Sequence, residues 1–163
     1  MVVVRSFWSI TDSKAMTNSR NKGAAFEREV CSWIHDEFGV KVRRNLEQYQ
    51  VVDLGDILLS PFTIECKRYG SGTWHKSDWW EQVCRAARDD SIPLLIYRFD
   101  RQPTRLVFPL YVLGDYPTNN DMTCTVGLDE GAMIIREVLN ETRRFSASSK
   151  PVSEEALLGS NTG

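Results

Sequence analysis

Residues 55–69 read GDILLSPFTIECKRY, and no other stretch limits so strongly what the chain can fold into. Two apolar runs of strand length, GDILLS (55–60) and FTIECKRY (62–69), meet at Ser60-Pro61, the signature of two strands joined by a turn. Side chains alternate between the faces of a strand. Glu65 and Lys67 therefore share one face, and Ile64 and Cys66 share the other. A turn centred between Ser60 and Pro61 places Asp56 directly across from Glu65, with Cβ atoms about 4.5–5.5 Å apart.

Like charges at that distance destabilise a sheet. A fold keeps such a pair when a cation lies between them, and Mg²⁺ is often held by one or two carboxylates plus substrate phosphate. Lys67 adds a positive charge that can polarise a phosphate oxygen or steady a nucleophilic water. The same triplet can also be a solvated face carrying one salt bridge. Ile57, Leu58, Leu59, Phe62 and Ile64 argue against that, because charges among such apolar neighbours need a purpose. Asp53 is a rival to Asp56, but its odd separation turns it to the other face of a regular strand.

The surroundings predict an α/β layer, a mixed central sheet flanked by helices. Phe26, Val30, Trp33, Ile34 and Phe38 form a stripe at helical period, giving a helix over 22–38 that stops at Gly39. VKVRRNLEQYQVV (40–52) reads as a strand. SDWWEQVCRAAR (77–88) reads as a helix, with Ser77 as its cap. IPLLIYRF (92–99) is a strand covered on both faces. RLVFPLYVL (105–113) is a further strand, pushed towards an edge by Pro109. A last helix covers 128–145. Residues 1–21 form an N-terminal extension, its first fifteen residues an added strand or a loose segment. Residues 146–163 read as a disordered tail. That leaves 22–145 as a single domain.

The composition narrows the partners. Lys and Arg number 20 against 22 Asp and Glu, a net charge of −2. A simple basic coat for nucleic acid is therefore excluded, while a local basic groove is not. No apolar run approaches the roughly 18–20 residues of a membrane span, and MVVVRSFWSITDSK lacks the charged start and cleavage site of a secretory signal. Cys31, Cys66, Cys84 and Cys124 are scattered without a C-x-x-C pair, which reads as reduced thiols in a cytoplasmic protein.

Glu27 borders the apolar stripe of the first helix, and Gly23-Ala24-Ala25 before it allows a close approach to the sheet. Taken in order, GAAFEREV (23–30), GDI (55–57), IECK (64–67) and a following helix with Gln82 resemble the PD-(D/E)XK nuclease superfamily. Within it the resemblance is closest to Holliday junction resolvases of the archaeal Hjc type and their phage-encoded relatives. It covers about residues 20–100. It implies a restriction-endonuclease-like core with the order αβββαβ. By the same resemblance Asp56 and Glu65 bind a catalytic Mg²⁺, for which Mn²⁺ can substitute, and Lys67 assists the attacking water. Glu27 is a further metal ligand or a carboxylate just behind the ligands, and Gln82 orients Lys67 or a phosphate. Gly55 departs from the pattern, which has proline before the first aspartate.

The activity so implied is Mg²⁺-dependent, structure-selective cleavage of DNA at four-way junctions, by a homodimer in the cytoplasm (the host's, if phage-encoded). The alternatives are a nickase or restriction-like enzyme of the same superfamily, or a non-catalytic nucleic-acid-binding module. Arg20, Lys22, Arg43, Arg44, Arg68 and Lys76 are candidates for a phosphate-binding groove, with Lys41, Arg85 and Arg88 nearby. Trp74 and His75, after the Gly70–Gly72 loop, are candidates for a base and a phosphate. Trp79 and Trp80 read as core or dimer packing. The LVFPLYVL strand and the segment after it are the favoured dimer patch.

Overall fold

The computed structural model describes residues 10–45, 55–88 and 91–148, with backbone alone at 10–18 and 148. Helix α1 spans Ile10–Phe38. Its inner half follows the expected stripe, and Phe26, Val30 and Ile34 are buried. Gly39 ends it at φ 68°, donating its N–H to the His35 carbonyl at 2.9 Å, the left-handed stop that glycine adopts without strain. The helix starts twelve residues before the expected position 22. The added segment is polar, so it carries no apolar period. It also holds no proline or glycine before Gly23, so nothing in it stops a helix.

Of the strand expected over 40–52, residues 40–45 show an isolated antiparallel bridge between Arg44 and Ile57, and 46–52 lie outside the described residues. Strands β1 (Ile57–Leu59) and β2 (Phe62–Tyr69) form the predicted hairpin. Ile57 pairs with Ile64, Leu58 with Thr63 and Leu59 with Phe62. Asp56 stands in a bend just ahead of β1 rather than inside it. At Gly55 a Cβ would come within 2.6 Å of Thr63 Cγ2 and 3.0 Å of the Ile64 carbonyl oxygen. The chain thus passes so close to β2 that any side chain here forces a neighbour to shift, which favours glycine at the position where the pattern has proline.

Helix α2 (Ser77–Ala86) returns the chain so that β3 (Ile92–Phe99) lies parallel to β2. β4 (Arg105–Pro109) pairs antiparallel with β3, and β5 (Thr123–Val126) antiparallel with β4, giving a five-stranded sheet in the order β1-β2-β3-β4-β5. The long strand expected over 105–113 stops at Pro109 and gives way to a 3₁₀ turn, Leu110–Leu113. Nor is β4 an edge, because the unanticipated β5 covers it. Pro109 is the last residue of β4, so the missing N–H falls where the strand gives way to the 3₁₀ turn and not in the middle of the ladder. Helix α3 (Leu128–Ser148) closes the fold and runs three residues past the expected end.

The helices flank both sides of the sheet. Phe26, Val30 and Ile34 of α1 and Ile135 and Leu139 of α3 join Ile57, Ile64, Cys66, Leu94, Ile96 and Leu106 in one core. Trp79 and Val83 of α2 join Leu95, Tyr97, Phe99 and Val107 in a second. Trp79 is thus core, stacked on Tyr69 with ring centroids 4.7 Å apart, while Trp80 donates its indole N–H to the Asn120 carbonyl at 2.8 Å. Leu106, Val107 and Phe108 are fully buried. The strand favoured as a dimer patch is therefore interior, and of that patch only flanking residues such as Leu113, Tyr116 and Met122 are exposed. All four cysteines are free thiols, and no described helix is long and apolar enough to cross a membrane.

Candidate active site

The predicted alternation along β2 holds. Cys66 is buried in the core beneath α1, while Glu65 and Lys67 face α2. There they form a closed triangle with Gln82. Lys67 Nζ donates to Glu65 Oε1 at 2.7 Å and to Gln82 Oε1 at 2.8 Å. Gln82 Nε2 donates back to Glu65 Oε1 at 2.7 Å. Each group in the triangle fixes the other two, so the ammonium has one position rather than many.

Asp56 is 6% exposed, and its Oδ2 accepts the backbone N–H of Cys66 at 2.7 Å. Glu65 is 3% exposed. Burial, then the Asp56 charge, push its pKa up to about 7, against the opposing pull of Lys67. Glu27 reaches the same region from α1. Its carboxylate is paired with the Arg44 guanidinium. Burial nevertheless raises its pKa, with Arg44 opposing and Asp56 adding to the rise. Glu27, Asp56 and Glu65 therefore share one electrostatic field. Among the described residues no group of three His, Cys, Asp or Glu side chains is spaced to hold a metal ion. Asp53, the rival aspartate, lies outside the described residues.

The cations expected to line a groove are only partly available to a phosphate. Arg44 is committed to Glu27. Lys22 and Arg68 converge on Asp100, at 3.0 and 2.6 Å. Lys76 lies over the rings of Tyr69 and Trp79, 5.6 and 5.8 Å from their centroids. Arg20 and Arg43 are exposed. Trp74 is 58% exposed. His75 is half-buried against Tyr97, with ring centroids 5.6 Å apart, and burial lowers its pKa.

Three residues that the sequence did not single out help to position this site. Arg98 grips Glu29 through two 2.6 Å contacts and lies over Phe26, 4.8 Å from its ring centroid, which ties α1 to β3 beside Glu27. Asp100 joins α1 to β2 through Lys22 and Arg68. These contacts span 32 to 78 residues of chain, and no local pattern signals them. A cavity of about 310 Å³ lies between residues 40–42, β1 and α3. None of Glu27, Asp56, Glu65, Lys67 or Gln82 lines it.

The likeness to known proteins can be set against this geometry. No curated protein matches the chain. Among solved structures it is similar to Hjc of Archaeoglobus fulgidus, a Holliday junction resolvase from an archaeal hyperthermophile. The identity is 19% and the TM-score 0.45, covering 68% of this chain and 95% of that one. Residues 18–141, from α1 to most of α3, match the family described as "Phage putative PDDEXK endonuclease". On that match, which takes in Glu27, Asp56, Glu65, Lys67 and Gln82 together, the chain belongs to the phage PDDEXK endonuclease family.

Proposed function

We propose that the chain is a divalent-metal-dependent DNA endonuclease that cuts branched DNA, four-way junctions above all, as a homodimer. The observation that carries this reading is the closed Glu65–Lys67–Gln82 triangle beside the buried Asp56. Two buried carboxylates, Asp56 and Glu65, lie there close to the Lys67 ammonium that pairs with Glu65. A buried carboxylate pair of this kind suits one divalent ion. Asp56 and Glu65 would hold it together with substrate phosphate oxygens, which is how Mg²⁺ is commonly bound. Mn²⁺, which shares the preference for carboxylate and water ligands, would substitute.

The ion would act as a Lewis acid on the phosphate and lower the pKa of a bound water. The chain's own groups do the rest. The Cys66 N–H fixes the Asp56 carboxylate. Gln82 holds Lys67 so that its ammonium faces the charge developing on the phosphate, where a preorganised cation is worth most. Arg44 pairs with Glu27 at the margin of the site.

The junction preference is supported by the ordered motif resemblance. The dimer follows from the chemistry, because resolving a junction takes two symmetric nicks and this chain supplies one site, so a two-fold pair is the simplest arrangement. Nicking of supercoiled plasmid with Mg²⁺, Mn²⁺, Ca²⁺ and EDTA tests the metal reading. Cleavage of a four-way junction against linear duplex, with light scattering on the same preparation, tests the rest. Activity in EDTA would remove the metal. A monomer cutting both DNAs equally fast would remove the resolvase reading and leave a nuclease.

A further inference from the structure

At the end of the sheet where β2 and β3 run out, an exposed indole is held in place. The loop carrying Trp74 is pinned at three points. Gln102 Nε2 donates to the Gly72 carbonyl at 2.7 Å, and Arg105 Nη1 donates to the Thr73 carbonyl at 3.1 Å. Gly72, at φ 154°, packs on the Phe99 ring so closely that a Cβ would sit 2.2 Å from it. The Arg105 guanidinium then lies over the Trp74 ring, 5.4 Å from its centroid. Among the described residues this guanidinium is engaged by a carbonyl and a ring rather than by a carboxylate. Trp74 is nonetheless 58% exposed. Immobilising an apolar ring in water gains the fold little, so the arrangement calls for a ligand.

Its location says which ligand. Lys67 is the register partner of Tyr97, and Tyr97 is the register partner of Arg105. The three form a row on one face, so Arg105 stands two strand spacings, roughly 10 Å, from the catalytic lysine. Tyr97, in the middle, is 1% exposed, and neither its hydroxyl nor the neighbouring His75 Nδ1 has a hydrogen-bond partner among the described residues. Buried polar atoms without partners are rare and mark places where a water or ligand belongs. A flat aromatic face backed by a cation, in line with a phosphodiester-cutting site, matches the sequence-tolerant way proteins hold single-stranded bases.

We propose that Trp74 and Arg105 form a stacking site for the base of an unpaired nucleotide next to the cleaved strand. The inference rests on the nuclease reading and adds what that reading lacks, a means of sensing DNA that is not fully paired. A protein partner is the competing occupant. The basic rim of Arg105 and Lys76 favours the polyanion.

The test is binding in EDTA, where cleavage is suppressed, to two DNAs of one sequence, a perfect duplex and a duplex with a short single-stranded gap. Wild type is expected to prefer the gapped DNA. Trp74→Ala should lose about tenfold on the gapped DNA and less than twofold on the duplex. Trp74→Phe should keep most of the preference, and gapped DNA should quench the wild-type indole fluorescence. Plasmid nicking in Mg²⁺ is measured alongside. A Trp74→Ala protein that nicks plasmid and keeps the full gap preference overturns the inference and spares the nuclease. A shift from dimer to monomer in Trp74→Ala with unchanged DNA binding makes the indole a protein contact and overturns it as well. Wild type that neither binds nor nicks DNA overturns both.

Discussion

Asp56 is tied to the strand it faces, its Oδ2 accepting the Cys66 N–H at 2.7 Å. The position of this carboxylate is thus set by the β2 backbone and not by its own rotamer alone. Asparagine can keep that bond through its carbonyl oxygen while losing the charge. Asp56→Asn is therefore expected to fold normally and to lose cleavage by about a hundredfold or more, the scale on which one preorganised electrostatic group acts. DNA binding should hold or tighten. Circular dichroism, nicking rate and binding in EDTA on one preparation check it, and full activity in Asp56→Asn with loss in Asp53→Asn would assign the role to Asp53.

Gln82 acts only through its neighbours, donating to Glu65 and accepting from Lys67. Gln82→Ala should slow cleavage about ten- to a hundredfold, the range for groups that orient a metal ligand, with less loss of DNA affinity than of rate. Gln82→Glu keeps the acceptor for Lys67 but sets a third carboxylate against Glu65, so it should not rescue. Equal activity in Gln82→Ala and wild type would make the contact ornamental.

The raised pKa of Glu65 gives a pH dependence whose sign is fixed. The folded group titrates at about 7 instead of the usual 4.5. In that window the folded chain binds more proton than the unfolded one, so this group's contribution is most favourable below 4.5 and falls away as pH rises to 7. The full swing is at most roughly 3 kcal/mol. In EDTA, Glu65→Gln should therefore gain on wild type in Tm between pH 5 and pH 8, by several degrees for a chain of this size. A Tm difference that does not change with pH would contradict the shift. Mg²⁺ favours the ionised carboxylate, so it should raise the wild-type Tm most at the alkaline end.

Gly55 is predicted to be intolerant for a reason unrelated to charge. A Cβ there meets the Ile64 carbonyl at 3.0 Å and Thr63 Cγ2 at 2.6 Å. The threonine methyl can turn away, but the backbone oxygen cannot. Gly55→Ala should cost about 1–3 kcal/mol, the usual scale of overpacking, and should also move Asp56 out of register and lower cleavage. Thermal melts check the first effect and nicking the second. A Gly55→Ala protein as stable and active as wild type would mean that the chain passes β2 less closely.

What could be read beforehand was whatever a short window encodes. The Ser60-Pro61 turn sets the β1–β2 register, and the register places Asp56 beside Glu65. The apolar stripe locates Phe26, Val30 and Ile34, and hence Glu27. The run IPLLIYRF shows a strand buried on both faces. The misses have physical causes too. The first twelve residues of α1 are helical without an apolar period. Thr123–Val126 is too short to stand out from the polar loop before it. Pro109 hides the end of β4, because a terminal proline and an edge proline look alike in sequence. The roles of Asp100 and Arg98 depend on partners far away along the chain.

Asp100 has one more consequence. It already neutralises Lys22 and Arg68, which join it from α1 and β2. A phosphate arriving at either cation has to displace a fixed carboxylate, not a loosely held chloride ion from solution. On the proposed function, association with DNA at this end of the sheet would be an exchange of anions at the protein surface, releasing fewer counterions than the tally of basic residues implies. The slope of log affinity against log salt should accordingly be shallower than that tally predicts, and Asp100→Asn should steepen it while strengthening the hold on DNA.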